Sequence, residues 1–455
     1  MTRLPALLAA CAGLAAAPAA AQHQGHDMPG MDTSPAPAAQ HQGHDMPGMD
    51  MGPAPAAAQP QGHDMAAMDM SPAPAGAMAG ALGAYAMTRE ASGTAWQPDE
   101  SEHRGVHGQA GGWSLMGHVR LNLAYDRQTG PRGDEMGFVS GMAMGSARRA
   151  LGGGTLQLRA MLSPDPAMGP RGYPLLLAAG ETAADATPLV DRQHPHDLFM
   201  ELSASYAHPV GAGAGLFLYA GLPGEPAFGP PAFMHRLSIA DSPEAPISHH
   251  WLDSTHIAFG VATLGLVAGT VKLEGSRFNG REPDRHRWDI ETGALDSTAL
   301  RLSWNPDARL ALQASWARLV SPEALAPGED ETRWSASGIY TRRLAGGWWS
   351  TTLAFGRRDK HGGSLDAVAL ESAVRRGAWT VFGRAERVET DELAGLHGPV
   401  RGVGKASLGF VRDFAAGAHL ALGVGALASL DFAPRGLGYG GGPAGAMLFV
   451  RLKVD

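Results

Sequence analysis

The stretch Trp113-Ser-Leu-Met-Gly-His-Val-Arg-Leu-Asn-Leu-Ala-Tyr125 decides the fold. Successive side chains of an extended strand point to opposite faces. Trp113, Leu115, Gly117, Val119, Leu121, Leu123 and Tyr125 therefore share one face. Ser114, Met116, His118, Arg120 and Asn122, with Asp126 beyond, share the other. An apolar row backed by a polar row describes a sheet between an apolar medium and water. One such strand fits many folds, but here the pattern recurs. Leu156, Leu158 and Leu162 oppose Gln157 and Arg159; Leu300, Leu302 and Trp304 oppose Arg301 and Ser303; Leu420, Leu422 and Val424 form another apolar row.

Sixteen strands are predicted, near 113–126, 135–148, 154–163, 197–208, 214–222, 256–267, 270–278, 297–305, 309–319, 331–343, 347–358, 365–376, 378–389, 404–413, 418–431 and 442–454. Fourteen is the alternative, if one strand has been split. Short turns such as 151–153 and 344–346 alternate with long loops such as 164–196 and 223–255. That alternation predicts an all-β fold, a transmembrane antiparallel β-barrel with both termini on the short-turn side. Aromatic residues near strand ends suit interfacial girdles: Trp113, Tyr125, Tyr206, Trp304, Trp316, Trp334, Trp348, Trp379 and Phe432. A propeller would repeat every ~40–50 residues, and no such repeat is present.

Composition excludes other classes. Gly (62) and Pro (33) make up about 21% of the 455 residues, against a usual ~12%. No apolar run of ~18 residues follows the N-terminus, so a bundle of membrane helices is excluded. The net charge of −8 speaks against nucleic-acid binding. Cys11 is the lone cysteine, so a chain cleaved after it has no disulfide, thiolate metal site or Cys nucleophile.

The chain begins with an export signal over residues 1–21. Arg3 supplies the charge, Leu4 to Ala17 the apolar segment, and Ala19-Ala20-Ala21 the cleavage site. The alternative is a lipoprotein anchored at Cys11. Residues 22–111 read as a disordered Met/His-rich metal-binding tail and linker, because Met is nearly the only large hydrophobe up to residue 80. Within it, His23-Gln-Gly-His26-Asp27-Met28-Pro-Gly-Met31-Asp32 recurs unchanged from His41 to Asp50, carrying His41, His44, Met46 and Met49. A third, degenerate copy carries His63, Met65, Met68 and Met70. Thioethers favour Cu(I), and imidazole also takes Cu(II). The tail is therefore expected to hold copper, in either oxidation state and transiently.

The HQGHDMPGMD-type repeat resembles the N-termini of copper-resistance outer-membrane proteins of the copper resistance protein B kind. The likeness covers roughly the first 80 residues. It implies copper handling at the outer membrane of a Gram-negative bacterium, with the tail in the periplasm. Outer-membrane lipid, metal ions and a periplasmic copper oxidase or carrier are the implied partners.

Alternation also predicts what lines the barrel. Met116, His118, Met136, Met142, Met144, Met161 and Met447 are expected inward on four neighbouring strands, a soft-metal surface or simple space-filling. Arg120, Arg159, Glu201, Lys272, Glu274, Arg301, Arg333, Glu371, Arg384 and Glu386 are expected inward elsewhere, as a solvated network narrowing a channel. Two long loops carry Asp191, His194, His196 and Asp197, and then His235, Asp241, His249, His250 and Asp253, with His256 beyond. They read as a Cu(II) or Zn(II) site, or as histidines hydrogen-bonded to one another.

No catalytic residues are assigned. Ser203, Ser205 and His208 share one strand region, but no nucleophile motif, phosphate loop or dinucleotide fingerprint is present. The expected function is copper binding, resistance or export by an outer-membrane barrel. The alternatives are a general porin or structural barrel with a metal-sequestering tail, and a barrel enzyme such as a lipid hydrolase or protease.

Overall fold

The computed structural model describes residues 79–182, 188–394 and 398–455. The export signal and the tail's ligand candidates, from His23 to Met70, lie outside the described residues. Strands are numbered in chain order: β1 (Val106–Ala110), β2 (Trp113–Gln128), β3 (Glu135–Leu151), β4 (Gly154–Leu162), β5 (Tyr173–Thr182), β6 (Pro188–Gln193), β7 (Phe199–Gly211), β8 (Ala214–Gly221), β9 (Val261–Ala268) and β10 (Val271–Phe278). They continue with β11 (Ser297–Trp304), β12 (Leu310–Leu319), β13 (Glu331–Leu344), β14 (Gly347–Lys360), β15 (Gly363–Arg376), β16 (Trp379–Thr390), β17 (Arg401–Ala415), β18 (Leu420–Phe432) and β19 (Ala444–Val454).

Sixteen of these close into one barrel: β2 to β4, then β7 to β19. Each pairs antiparallel with its neighbour, and β19 returns to β2 with Val454 opposite Val119 and Gly445 opposite Gln128. The transmembrane barrel of sixteen strands stands as expected, and the fourteen-strand alternative does not. One boundary moves. The strand expected from 256 starts at Val261, because 256–260 belong to a chain segment inside the barrel.

The outer rows are apolar. Leu123, Leu218, Leu264, Leu353, Leu408 and Leu448 are each more than half exposed. At ~25 cal/mol per Å² such a surface is costly in water and comfortable in lipid. Tyr125, Trp304, Trp334, Trp379 and Phe432 sit on it as girdle residues. Trp348 does not. The outer row of β14 holds Trp349, Leu353 and Phe355, so Trp348 points inward, and its Nε1–H donates to Glu102 Oε2 at 3.1 Å.

The lumen is filled by two inserts, with the 163–198 connection and its β5–β6 hairpin buried against the second. The first is residues 79–105, which the sequence reading treats as linker. Tyr85 and Trp96 meet edge to face at 5.0 Å, and Arg89 lies over both rings. Arg89 also forks onto Asp99 at 2.6 and 2.7 Å. Glu90 Oε1 accepts from the N–H of Ala81 and Leu82. This small knot crosses the short-turn rim, where Asn305 Nδ2 donates to Gln97 O, and where Arg309 pairs with Glu100 and Arg375 with Glu102. From it β1 turns back along the lower end of β2. The second insert, residues 222–260, joins β8 to β9 from the opposite rim and is almost wholly buried. It carries one short α-helix, α1 (His249–Leu252), and a 3-10 turn over Ser254–His256. The inserts meet where Ala232 N donates to Ser92 Oγ at 2.8 Å.

Inward charges bind the inserts rather than facing water, which corrects the solvated-channel expectation. Arg301 donates to Thr94 Oγ1 and Gly229 O, and Thr94 Oγ1 donates to Glu274 at 2.5 Å. Arg236 of the second insert forks onto Glu371 at 2.6 and 2.9 Å. Ser248 Oγ donates to Glu386 at 2.6 Å, and Arg384 donates to Ala245 O at 2.7 Å. Buried charges of this kind are tolerable only when fully paired. Gly356 gives the insert room on β14, since a Cβ there would stand 2.5 Å from Trp251 O.

Candidate functional site

The wall of β2, β3 and β4 differs from the rest of the barrel. Its inward row carries thioethers and imidazoles. The register sets His118 opposite Met144 and Met144 opposite Met161 across adjacent strands. Near the short-turn rim this wall borders a cavity of about 110 Å³. Met116, His118, Met142 and Met144 line it, joined by Met87 of the first insert and by Met234 and His235 of the second. His118 and His235 stand 6.3 Å apart between ring centroids, and the Nε2 of each is buried without a hydrogen-bond partner. Burial, followed by the neighbouring His118, pulls the His235 imidazole down to about 3.

At the mouth of the same cavity, His103 and His107 approach through their Nε2 atoms at 2.9 Å. Burial lowers His103 to about 4, helped by His107 and Arg148. The cavity thus offers neutral imidazole and thioether sulfur together, the ligand set of Cu(I) and similar soft ions.

The other lumen candidates divide. Met161 packs with Met142, Met200, Ile257 and Phe259 beside the cavity. Met200, placed by simple alternation on the outer face, is turned inward by a register shift between β4 and β7 at Met161/Leu162. Met136 takes an Arg192 N–H on its sulfur at 3.6 Å, and Met447 is buried in a different cluster with Phe138 and Phe449. Neither borders the cavity.

Five of the loop histidines come together. His196 and His256 rings lie 5.2 Å apart, as do His249 and His256. His194 lies 5.7 Å from both His249 and His250. Their sequence positions are as much as 62 apart, and only the folding of 222–260 into the barrel unites them. The Nδ1 contacts of three go to oxygen: His196 to Asp165 at 2.7 Å, His249 to Asp253 at 2.7 Å, and His256 to the Asp253 carbonyl at 2.6 Å. The expectation of histidines bonded to one another is therefore not what holds these three. Among the described residues, no three His, Cys, Asp or Glu side chains are drawn tightly enough to enclose an ion.

His235 stands apart from this cluster, with His118. Asp197 pairs with Arg287 at 3.2 Å. Asp191 accepts from Arg132 and from Tyr439 Oη, so it serves the outer loops. Sequence reasoning missed Met87, His103, His107, Met234 and Asp165, whereas Asp253 stood among the loop candidates. Tyr85, Trp96 and the Arg89/Glu90/Asp99 charges separate 79–105 from the Ala/Pro stalk before it, and could have marked an ordered segment.

Ser203 and Ser205 face inward, whereas His208 is exposed beside Tyr206 on the other face, so these three do not assemble.

No family model matches the chain, and no curated protein matches it. The resemblance carried by the repeat is therefore without a matching family. Solved structures do align. The anion-selective porin from Comamonas acidovorans is 12% identical, with a TM-score of 0.44 over 75% of this chain and 99% of that one. Salmonella typhi OmpF, in complex with daunomycin, is 10% identical, with a TM-score of 0.48 over 76% and 100%. Pseudomonas putida OprB is 9% identical, with a TM-score of 0.49 over 75% and 94%. The likeness is one of fold, and the selectivity and ligand in those descriptions belong to those proteins.

Proposed function

We propose that this chain is a Gram-negative outer-membrane barrel that handles copper. Its periplasmic tail captures Cu ions through His23, His26, Met28, Met31 and their repeats, and the lumen cavity beside β2–β4 receives them. The observation that carries this reading is the cavity lining: thioethers of Met116, Met142, Met144 and Met234 around the partnerless Nε2 atoms of His118 and His235. The cavity lies at the short-turn rim, where β2 begins. Ligand exchange from Met to Met, then Met to His, moves an ion without a strongly bound stop. A periplasmic copper carrier or oxidase fits as donor or acceptor.

The general-porin alternative is disfavoured by a lumen filled from both rims. The test is Ag(I) binding, as a redox-inert stand-in for Cu(I), by the full chain and by Met142→Leu/Met144→Leu/Met234→Leu. The wild type should bind at least one Ag(I) more than the variant, and cells carrying the variant should lose copper tolerance. Equal Ag(I) stoichiometry and unchanged tolerance would refute the cavity's role.

A further inference from the structure

We infer that His196, His249 and His256 form a second metal site, separate from the thioether cavity, for a borderline divalent cation, Cu(II) foremost. Each ring is oriented by an oxygen that can only accept a hydrogen bond: the carboxylates of Asp165 and Asp253 and the Asp253 carbonyl. Those partners fix the proton on Nδ1 and leave the lone pair on Nε2. All three Nε2 atoms are buried and without a hydrogen-bond partner. A buried lone pair left unmet is costly. Three of them on adjoining rings mark a place prepared for something that accepts electron pairs.

The support behind the rings is that of a metal site. A ligating imidazole ordinarily donates its second N–H to a carboxylate or carbonyl, which sets its tautomer and raises its basicity. Asp253 serves two of the three rings at once, and its Oδ2 is held by Arg236 at 2.5 Å. His194 adjoins the cluster as a fourth ring. Imidazole donors without thioether select Cu(II), Ni(II) or Zn(II), with Cu(II) bound most tightly of the three. The rings are not yet closed around a point. An ion must draw them together, which weakens binding and suits transient occupancy.

This inference does not depend on the thioether cavity, and the test separates the two. Full-length protein with the tail histidines His23, His26, His41, His44 and His63 changed to Gln is loaded with Cu(II) at pH 6 and dialysed. It should retain one Cu(II), with nitrogen couplings from several imidazoles in its pulsed EPR spectrum. Adding His249→Gln/His256→Gln should abolish that equivalent, and His196→Gln alone should weaken it at least tenfold. Adding Met142→Leu/Met144→Leu instead should leave it intact. Heat-shifted mobility on gels confirms a folded barrel in each variant. Retention of the equivalent in the folded His249/His256 variant, or no retained Cu(II) in the parent, would overturn the site.

Discussion

Two walls of one barrel are filled in opposite ways. The wall from β10 to β16 meets the inserts with ion pairs whose charges are nearly all satisfied: Arg301 with Glu274 and Thr94, Arg236 with Glu371, Arg384 with Glu386. The wall of β2 to β4 meets them with sulfur and imidazole, leaving cavities of about 110 and about 40 Å³ that share Arg120, Met142 and Met234 in their linings. One wall fastens the inserts, and the other leaves space and unmet lone pairs. A channel needing only closure would gain from pairing on both sides. The asymmetry fits a closed lumen that keeps one wall chemically available.

The largest expected effect comes from breaking the fastening wall. Arg236 is fully buried and serves Glu371, Asp253 and the Pro231 carbonyl. Arg236→Met leaves two buried carboxylates unpaired, a loss of about 3–5 kcal/mol in similar buried pairs. The second insert should then become cleavable by added protease, and single-barrel conductance should rise from a closed baseline. An insert that stays protease-resistant in Arg236→Met would show that the ion pairs do not hold it.

A smaller effect separates the walls by pH. His103 and His235, at about 4 and about 3, lie below the ordinary imidazole value of 6.5. Between 6.5 and those values the unfolded chain takes up protons that the folded chain refuses. Their contribution to stability therefore falls as the pH drops through that window, by at most ~1.4 kcal/mol per pH unit for each group. Glu225 behaves oppositely. Burial raises it to about 7 against the pull of Arg301, so the folded chain holds a proton between about 7 and 4.5 and gains stability as the pH falls there. Urea midpoints measured from pH 7 to pH 4 should fall less steeply for His235→Gln than for the wild type, and more steeply for Glu225→Gln. Parallel slopes in all three would remove the contrast.

Much of the barrel was legible because strand alternation is local. Leu123 and Arg120 declare their faces from their neighbours alone, and lipid outside enforces the pattern on every strand. The same periodicity placed Met116, His118, Met142 and Met144 on one inner row. It failed at Met200, where a register shift breaks the period, and at Trp348, where two adjacent tryptophans leave parity to be set by the rest of the strand. The inserts were illegible for a different reason. Residues 222–260 have no period, and their partners lie on strands far along the chain, as Arg236 and Glu371 do. That His196 and His256 meet is a fact of long-range folding, and local pattern carries no trace of it.

The finest comparison sets an insert residue fastened to the β10–β16 wall beside a residue of the β2–β4 wall. Thr94 donates to Glu274, accepts from Arg301 and offers its carbonyl to Lys272. Thr94→Val keeps the shape and the Lys272 contact but takes the hydroxyl away from Glu274 and Arg301, which predicts a loss of about 1–3 kcal/mol. Met144→Leu also keeps volume, but it leaves no polar group unmet, so the loss should stay below about 1.5 kcal/mol. Urea midpoints of the two variants at pH 7 should rank in that order. Met144→Leu should still bind Ag(I) more weakly than Thr94→Val, the reverse of their rank in stability. If the two ranks agree instead, the β2–β4 wall is ordinary packing, and its sulfur atoms are there to fill space.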